Sequence, residues 1–126
     1  MMKSFNPGRI ILKDSLEALR RGSMTPENAF AAVSFVALGS DDPEAHLELA
    51  CMYRDGTGCA ADTAKAVEHL RRSAQLGNAL AQYHMGHLKY FGALDENDEA
   101  EGMEWMKKAA AQGIAEAAAF LEEVSL

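Results

Sequence analysis

Apolar residues in the middle of the chain recur with the spacing of an α-helix. They occupy positions 45, 49, 52 and 53, a single stripe of a period of about 3.6 residues. Asp42-Pro43-Glu44, just before the stripe, combines a capping carboxylate, a proline at the first helical position and an acidic first turn. Gly56 follows the stripe and favours a left-handed stop. The pattern therefore predicts a helix between Asp42 and Gly56.

A second helix is predicted after a short loop. Asp62 is its expected cap and Gly77 its expected stop, and the positions between them are apolar at 66, 67, 70 and 74. Since the loop is short, the two helices form an antiparallel hairpin.

The hairpin recurs along the chain with a period of 36 residues. A shift by this amount aligns small, apolar and turn residues without a gap, which is the signature of a repeat architecture. The aligned pairs include Ala45 and Ala81, Leu49 and Met85, Ala50 and Gly86, Gly56 and Gly92, Asp62 and Asp98, Leu70 and Met106, Ala74 and Ala110, and Gly77 and Gly113. We therefore predict two copies, at residues 43–78 and 79–114.

The two ends of the chain look like worn versions of the same hairpin. Residues 1–42 are predicted to form a degenerate capping pair, whose helices begin at Asn6-Pro7 and Thr25-Pro26 and end at Gly22 and Leu38-Gly39. The first helix carries the apolar residues Ile11, Leu12, Leu16 and Leu19, and the second is expected to bury Ala29, Phe30, Val33, Val36 and Ala37. Residues 115–126 form a final capping helix. Because alternation at period two is nowhere sustained, we predict one all-α domain, residues 1–126, with seven helices.

Composition and charge narrow the function classes. The 126 residues include 19 acidic and 12 basic side chains, for a net charge of −7. A nucleic acid or an anionic membrane would need a basic face, so neither is the expected partner. No apolar run is long enough to cross a membrane, and Ile10-Ile11-Leu12 is too short for a signal-peptide core. These observations predict a soluble cytoplasmic protein.

Each copy carries a set of small, aromatic and turn residues at fixed offsets. The first reads Ala45-x3-Leu49-Ala50-x-Met52-Tyr53-x2-Gly56-x-Gly58, then Asp62-x2-Lys65-Ala66 and Ser73-Ala74-x2-Gly77. The second reads Ala81-x3-Met85-Gly86-x-Leu88-x3-Gly92, then Asp98, Trp105 and Ala109-Ala110-x2-Gly113. This pattern resembles a Sel-1-like repeat, a relative of the tetratricopeptide repeat. The resemblance implies a right-handed α-α superhelix, a solenoid of helical hairpins, that binds another protein and catalyses no reaction.

The chain departs from the family pattern at several positions. Cys59 replaces the usual valine, Leu94 a glycine, Lys89 a tyrosine, and Glu101-Gly102 the usual Lys-Ala. The small residues that do match are expected where two helices approach closely, so that a larger side chain would strain the packing. They are Ala50, Ala74, Gly86 and Ala110.

The resemblance also implies a binding groove on the concave side, lined by the first helix of each hairpin. The implied partner-binding residues are Leu47, Arg54 and Asp55, beside Cys51, in the first copy and Leu80, Tyr83, His87, Tyr90 and Phe91 in the second. Tyr83, His87, Tyr90 and Phe91 share one face of one helix. An exposed aromatic face is typical of a protein-binding patch. The alternative is that some of these rings pack against the N-terminal helices or the last helix.

No pattern predicts a catalytic, cofactor or metal site. His84 and His87 are one helical turn apart but have no third ligand at a suitable spacing. The acidic run at 95–99 lacks the ligand spacing of a calcium loop, so it is predicted to be a solvated turn with Asp98 as a cap; recruitment of a basic partner is the alternative. Cys51 and Cys59 are expected to be free thiols, as in a reducing compartment.

These observations predict a non-enzymatic adaptor, a monomer or weak homodimer, that binds a peptide or a partner protein in the groove. The alternative is a toxin-neutralising (immunity-type) or regulatory inhibitor, in which the charge of −7 matches a basic protein surface. Binding through charge weakens sharply with salt, whereas binding through aromatic contacts does not, so salt dependence separates the two functions.

Overall fold

The computed structural model describes residues 6–92 and 97–125, and every regular element in these two ranges is an α-helix. The helices are α1 (Pro7–Arg21), α2 (Pro26–Ser40), α3 (Pro43–Asp55), α4 (Thr63–Gln75), α5 (Ala79–Phe91), α6 (Glu99–Ala111) and α7 (Ala115–Val124). The predicted all-α class with seven helices is confirmed for the described part of the chain. The chain forms two compact units, which divide inside α4 between His69 and Leu70.

Most helix ends lie where the capping residues predict them. The side chains of Thr25, Asp42 and Asp98 accept hydrogen bonds from backbone N–H groups in the first turns of α2, α3 and α6. Each such cap stabilises its helix by about 1 kcal/mol. Glycines with φ angles of 77°, 72° and 66° end α1, α3 and α5. These left-handed conformations favour a residue without a Cβ.

The end of α2 differs from the prediction. The helix does not stop at Leu38-Gly39 but continues to Ser40, and Asp41 closes it with a φ angle of 52°. The backbone N–H of Asp41 donates to the carbonyl of Ala37 at 3.1 Å. Aspartate is one of the few residues other than glycine that tolerates this left-handed conformation, because its short polar side chain forms local hydrogen bonds.

The core of the first unit is formed by α1, α2 and α3. Its buried residues are Leu12, Ala29, Val33, Val36, Ala37, Ala45, Leu49 and Met52. Leu16, Leu19 and Phe30 are only partly buried against this core. Ile11, next to Leu12 in α1, is 37% exposed. Successive helical residues are turned by about 100°, so Ile11 and the buried Leu12 face different directions.

The loop between α3 and α4 approaches the start of α2 at one glycine. A Cβ atom on Gly58 would lie 2.1 Å from the carbonyl oxygen of Pro26, and the φ angle of Gly58 is 72°. Both the contact and the backbone conformation therefore require glycine at this position.

In the second unit, α5 and α6 cross at two glycines. A Cβ atom on Gly86 would lie 3.0 Å from the carbonyl oxygen of Gly102, and one on Gly102 would lie 2.7 Å from the backbone nitrogen of Tyr90. The close approach predicted at Gly86 is confirmed. Gly102, one of the departures from the family pattern, is the second glycine at this contact. The core that α6 and α7 share contains Met106, Ala109 and Ala117.

Candidate functional site

One face of α5 is exposed from the first turn of the helix to the last. Leu80, His84, His87 and Phe91 stand at i, i+4, i+7 and i+11, so they form one stripe. Leu80 is 46% and Phe91 56% exposed, which is unusual for large apolar residues. The other face of α5 is buried, with Met85 fully inaccessible. The helix is therefore anchored on one side and offers apolar and imidazole groups on the other.

Aromatic rings cluster at the end of this stripe. The ring of Phe91 lies 4.7 Å from that of His87 and 5.1 Å from that of Tyr90. Phe120 of α7 joins them edge-on, 4.8 Å from Tyr90 and 5.9 Å from Phe91. Edge-to-face pairs at these distances are favourable beyond the area they bury, so the rings hold one another in place. We call the following residues the aromatic patch: Leu80, Tyr83, His84, His87, Tyr90, Phe91 and Phe120.

Two tyrosines form the inner side of the aromatic patch. Tyr83 is half-buried and packs against the core of α6 and α7. Tyr90 is also half-buried, and it lines an open cavity of ≈ 340 Å³ together with Met103 and Val124. These two rings partly follow the alternative interpretation, in which aromatic residues of α5 pack against the N-terminal helices or the last helix, since both contact α7. Their contacts fix the positions of the exposed His87 and Phe91 next to them.

Phe120 is the member of the aromatic patch that sequence reasoning missed. The interpretation of residues 115–126 as a capping helix assigned no binding role to the side chains of that helix. The repeat nevertheless contained the signal, because the shift of 36 residues that aligns Ala81 with Ala117 also aligns His84 with Phe120. A position that is exposed in one copy is a candidate for the same surface in the next.

The three binding residues predicted in the first copy lie on α3, in the first unit. Leu47 is half-buried, whereas Arg54 and Asp55 are exposed. The guanidinium of Arg54 donates two hydrogen bonds to the carboxylate of Asp55, at 2.9 and 3.1 Å. The hydrogen bond from Arg54 lowers the pKa of the Asp55 carboxyl. The two charges therefore largely cancel, and they present a polar rather than a charged spot to a partner.

The two cysteines of the first unit are free thiols. Cys51 lies on α3 and Cys59 in the loop that follows. Desolvation by burial raises the pKa of both thiols. A raised pKa keeps a cysteine protonated at neutral pH, which is the opposite of what a nucleophile requires.

Two of the departures from the family pattern form an ion pair in the second unit. Lys89 is only 8% exposed, and its Nζ lies 3.5 Å from the carboxylate of Glu101. Arg71 and Trp105 also donate to this carboxylate, at 3.0 and 3.4 Å. Burial acts to raise the pKa of Glu101, but the hydrogen bonds from Arg71 and Trp105 and the charges of Lys89 and Arg71 outweigh it, so the pKa is lowered. The lysine that replaces a tyrosine is thus paired inside the fold.

Within residues 6–92 and 97–125, no group of three or more histidine, cysteine, aspartate or glutamate side chains is arranged to hold a metal ion. No described helix has both the length and the apolar character needed to cross a membrane. Of the predicted acidic turn, Asp98 caps α6 and Glu99 is exposed. Asp95 and Glu96 lie outside the described residues, as does the departure at Leu94.

Residues 43–78 and 79–114 each match the family model described as Sel1 repeat. Over 84 residues, 67% of the chain, the sequence is 38% identical to the uncharacterized protein NMB1327 of Neisseria meningitidis serogroup B, and the match spans 17% of that protein.

Two solved structures share the fold. The Sel1 repeat protein from Oxalobacter formigenes matches with a TM-score of 0.79 at 24% identity, over 87% of this chain and 45% of its own. The protein c5321, a protective antigen present in uropathogenic Escherichia coli strains and displaying an SLR fold, matches with a TM-score of 0.76 at 26% identity, over 87% of this chain and 24% of its own. The chain thus spans less than half the length of each of these relatives.

Proposed function

The chain belongs to the Sel1 repeat family, and on this premise we propose that it is a non-enzymatic adaptor that binds a segment of a partner protein on the aromatic patch. Repeats of this family generally serve as helical scaffolds for protein interactions. What the family leaves open is which surface of this chain binds and what the partner presents to it.

The observation that carries the proposal is the exposure of large apolar side chains on a supported helix face. Phe91 is 56% exposed although its ring is held by His87, Tyr90 and Phe120. A partner that covers this ring gains hydrophobic free energy without first having to order it, since the neighbouring rings already restrict its motion. Aromatic residues placed in this way dominate the binding energy of many interfaces.

The partner segment that fits the aromatic patch has apolar side chains at its two ends and hydrogen-bonding groups between them. Leu80 and Phe91 are the apolar ends of the stripe, and the imidazoles of His84 and His87 lie between them as hydrogen-bonding groups. Leu47, Arg54 and Asp55 of the first unit belong to the proposal as further contacts. The free thiols of Cys51 and Cys59 fit a reducing compartment, so the proposal places the complex in the cytoplasm.

A second candidate function is inhibition of a basic protein, such as a toxin or a regulated enzyme. The net charge of −7 favours it, because an acidic protein is steered towards a positive surface. This function predicts an affinity that falls steeply as salt is added, whereas contacts made by the aromatic patch depend on salt only weakly.

The test compares two exposed phenylalanines. Phe91 lies in the aromatic patch, and Phe35 on α2 is a matched control because it is 68% exposed and lies in the other unit. We expect a partner captured from native cell extract by the wild type to remain bound to Phe35→Ala and to be lost by Phe91→Ala. Losing one buried aromatic ring costs about 1.5–3 kcal/mol, or roughly ten- to hundredfold in affinity.

Circular dichroism first establishes that both variants are folded. Equal capture by wild type, Phe35→Ala and Phe91→Ala would move the binding site away from the aromatic patch. Capture that disappears in all three proteins at high salt would favour the inhibitor function instead.

A further inference from the structure

A buried histidine of the first unit contacts a second histidine and an aspartate. His46 of α3 is 5% exposed. Its Nε2 lies 2.7 Å from the Oδ1 of Asp41, and its Nδ1 lies 3.0 Å from the Nδ1 of His69 on α4. We call Asp41, His46 and His69 the histidine chain. It connects the left-handed end of α2 with α3 and with the first part of α4.

The surroundings of the histidine chain are aromatic. The ring of His69 has two ring neighbours, with centroids 5.3 Å from that of His46 and 5.6 Å from that of Tyr53. Tyr53 in turn meets Phe30 edge-on at 5.3 Å. These contacts hold both imidazoles in place, so neither turns away without disturbing the packing of α3 on α2.

Charged and titratable groups face the pair from three elements. The carboxylate of Asp41 comes from the junction of α2 and α3, the phenol of Tyr53 from α3, and Lys65 and Glu68 from α4. Lys65 also lies over the Tyr53 ring, 5.6 Å from its centroid. The Oδ1 of Asp41 lies 2.7 Å from the Nε2 of His46, and Glu68 acts against the positive charges that surround His69.

The contact between the two Nδ1 atoms restricts the number of protons that the pair holds. A hydrogen bond between two nitrogens needs one donor and one acceptor, so one Nδ1 carries a hydrogen and the other does not. With both rings neutral, or with one protonated, this condition is met. With both protonated, two N–H groups and two positive charges face each other at 3.0 Å, and the hydrogen bond is lost.

We propose that the histidine chain is an acid-sensitive latch, which holds α3 to α4 while the pair carries at most one added proton and releases them when the second proton binds. The second proton would put an N–H group on each Nδ1 and break the contact.

The groups around His69 also disfavour its protonated form. Burial, the charge of His46 and the charge of Lys65 lower the pKa of His69 below its ordinary value of 6.5, with Glu68 opposing them. A histidine whose pKa is lower in the folded state than in the unfolded one stabilises the fold above its ordinary pKa. That stability is lost as the pH falls below 6.5, so the latch opens on acidification and closes at neutral pH.

The direct test is a titration of all four histidine rings by NMR, from about pH 8 to about pH 5, where histidine normally titrates. We expect His46 and His69 to take up two protons in separate steps, the second at least about tenfold weaker than the first. His84 and His87 lie in the second unit, outside the histidine chain, and serve as internal controls. Two identical single-step curves for His46 and His69 would overturn the proposal.

A second measurement links the protons to the contact between the helices. We expect the urea midpoint of the wild type to fall more between neutral and mildly acidic pH than that of His69→Gln, in which the second site is absent. His87→Gln controls for the loss of a histidine elsewhere and keeps the acid sensitivity of the wild type. An equal fall in wild type and His69→Gln would contradict the latch. If His69→Gln does not fold, the wild-type titration still decides.

Discussion

At the crossing of α5 and α6 the two backbones come so close that neither glycine has room for a methyl group. The nearest atoms to a Cβ on Gly102 belong to the backbone and Cβ of Tyr90, at 2.7 and 2.8 Å. Backbone atoms do not move aside without shifting a whole helix. Since Tyr90 is part of the aromatic patch, this glycine also helps to set the position of the patch.

We therefore predict that Gly102→Ala destabilises the protein by about 1–3 kcal/mol, as overpacking of a tight contact does. Gly39→Ala is the matched control, because Gly39 lies in α2 with no atom within 4 Å of its Cβ position. Alanine has the higher helix propensity, so this control leaves stability unchanged or raises it by up to about 1 kcal/mol. Urea unfolding measures both. Equal effects of the two substitutions would show that the crossing tolerates a methyl group.

The contact between His46 and His69 could not be predicted from the sequence. His46 and His69 belong to different helices and to no common periodic stripe, so their spacing carries no signal of contact. Only the packing of α3 beside α4 brings their Nδ1 atoms to 3.0 Å. Glu101 and Lys89 were recognised as departures from the family pattern, yet their pairing depends on the same kind of tertiary contact.

At the scale of elements, local chemistry determines where most helices begin and end. Proline, a capping side chain and a following glycine act within one or two residues, so the bounds of α3 follow from the sequence around it. The end of α2 was the exception, because Asp41 takes the left-handed conformation in place of a glycine. Its carboxylate contacts His46, which shows a tertiary partner for that unusual cap.

The contact between the α3–α4 loop and the start of α2 is expected to contribute to the stability of the first unit. Gly58→Ala is expected to destabilise the first unit, because the new Cβ would collide with the carbonyl of Pro26 at 2.1 Å and also strain a positive φ angle. Gly22→Ala isolates the second effect, since Gly22 has a φ angle of 77° but no atom within 4 Å of its Cβ position.

Thermal unfolding by circular dichroism compares the two variants. Gly22→Ala should cost roughly 1 kcal/mol, the cost of a left-handed residue other than glycine, and Gly58→Ala clearly more. If Gly22→Ala lowers the midpoint as much as Gly58→Ala, the contact between the loop and α2 contributes nothing to stability.

At the scale of the whole molecule, the repeat and the helical class could be read from the sequence because both rest on periodicity. The second copy also contained Leu80, Tyr83, His87, Tyr90 and Phe91 on one helix. Which of these rings are exposed could not be read, since Tyr83 and Tyr90 are half-buried whereas His87 and Phe91 stay exposed. The contacts of Phe120 with Tyr90 and Phe91 likewise depend on how α7 packs.

The net charge and the aromatic patch affect binding in different ways. The charge of −7 belongs to the chain as a whole and acts at long range, mainly on the rate of association. The aromatic patch acts only on contact and is confined to α5 and α7. A partner held by the patch therefore remains bound when salt screens the charge.

Photo-crosslinking from the centre of the aromatic patch tests most directly whether a partner protein binds there. A benzophenone amino acid replaces His87, which is exposed between Leu80 and Phe91, and a control protein carries it in place of Phe35 on α2. After irradiation in cell extract, we expect position 87 to give a covalent product with one partner protein and position 35 to give none of that product. The same product from position 35, with none from position 87, would contradict this expectation.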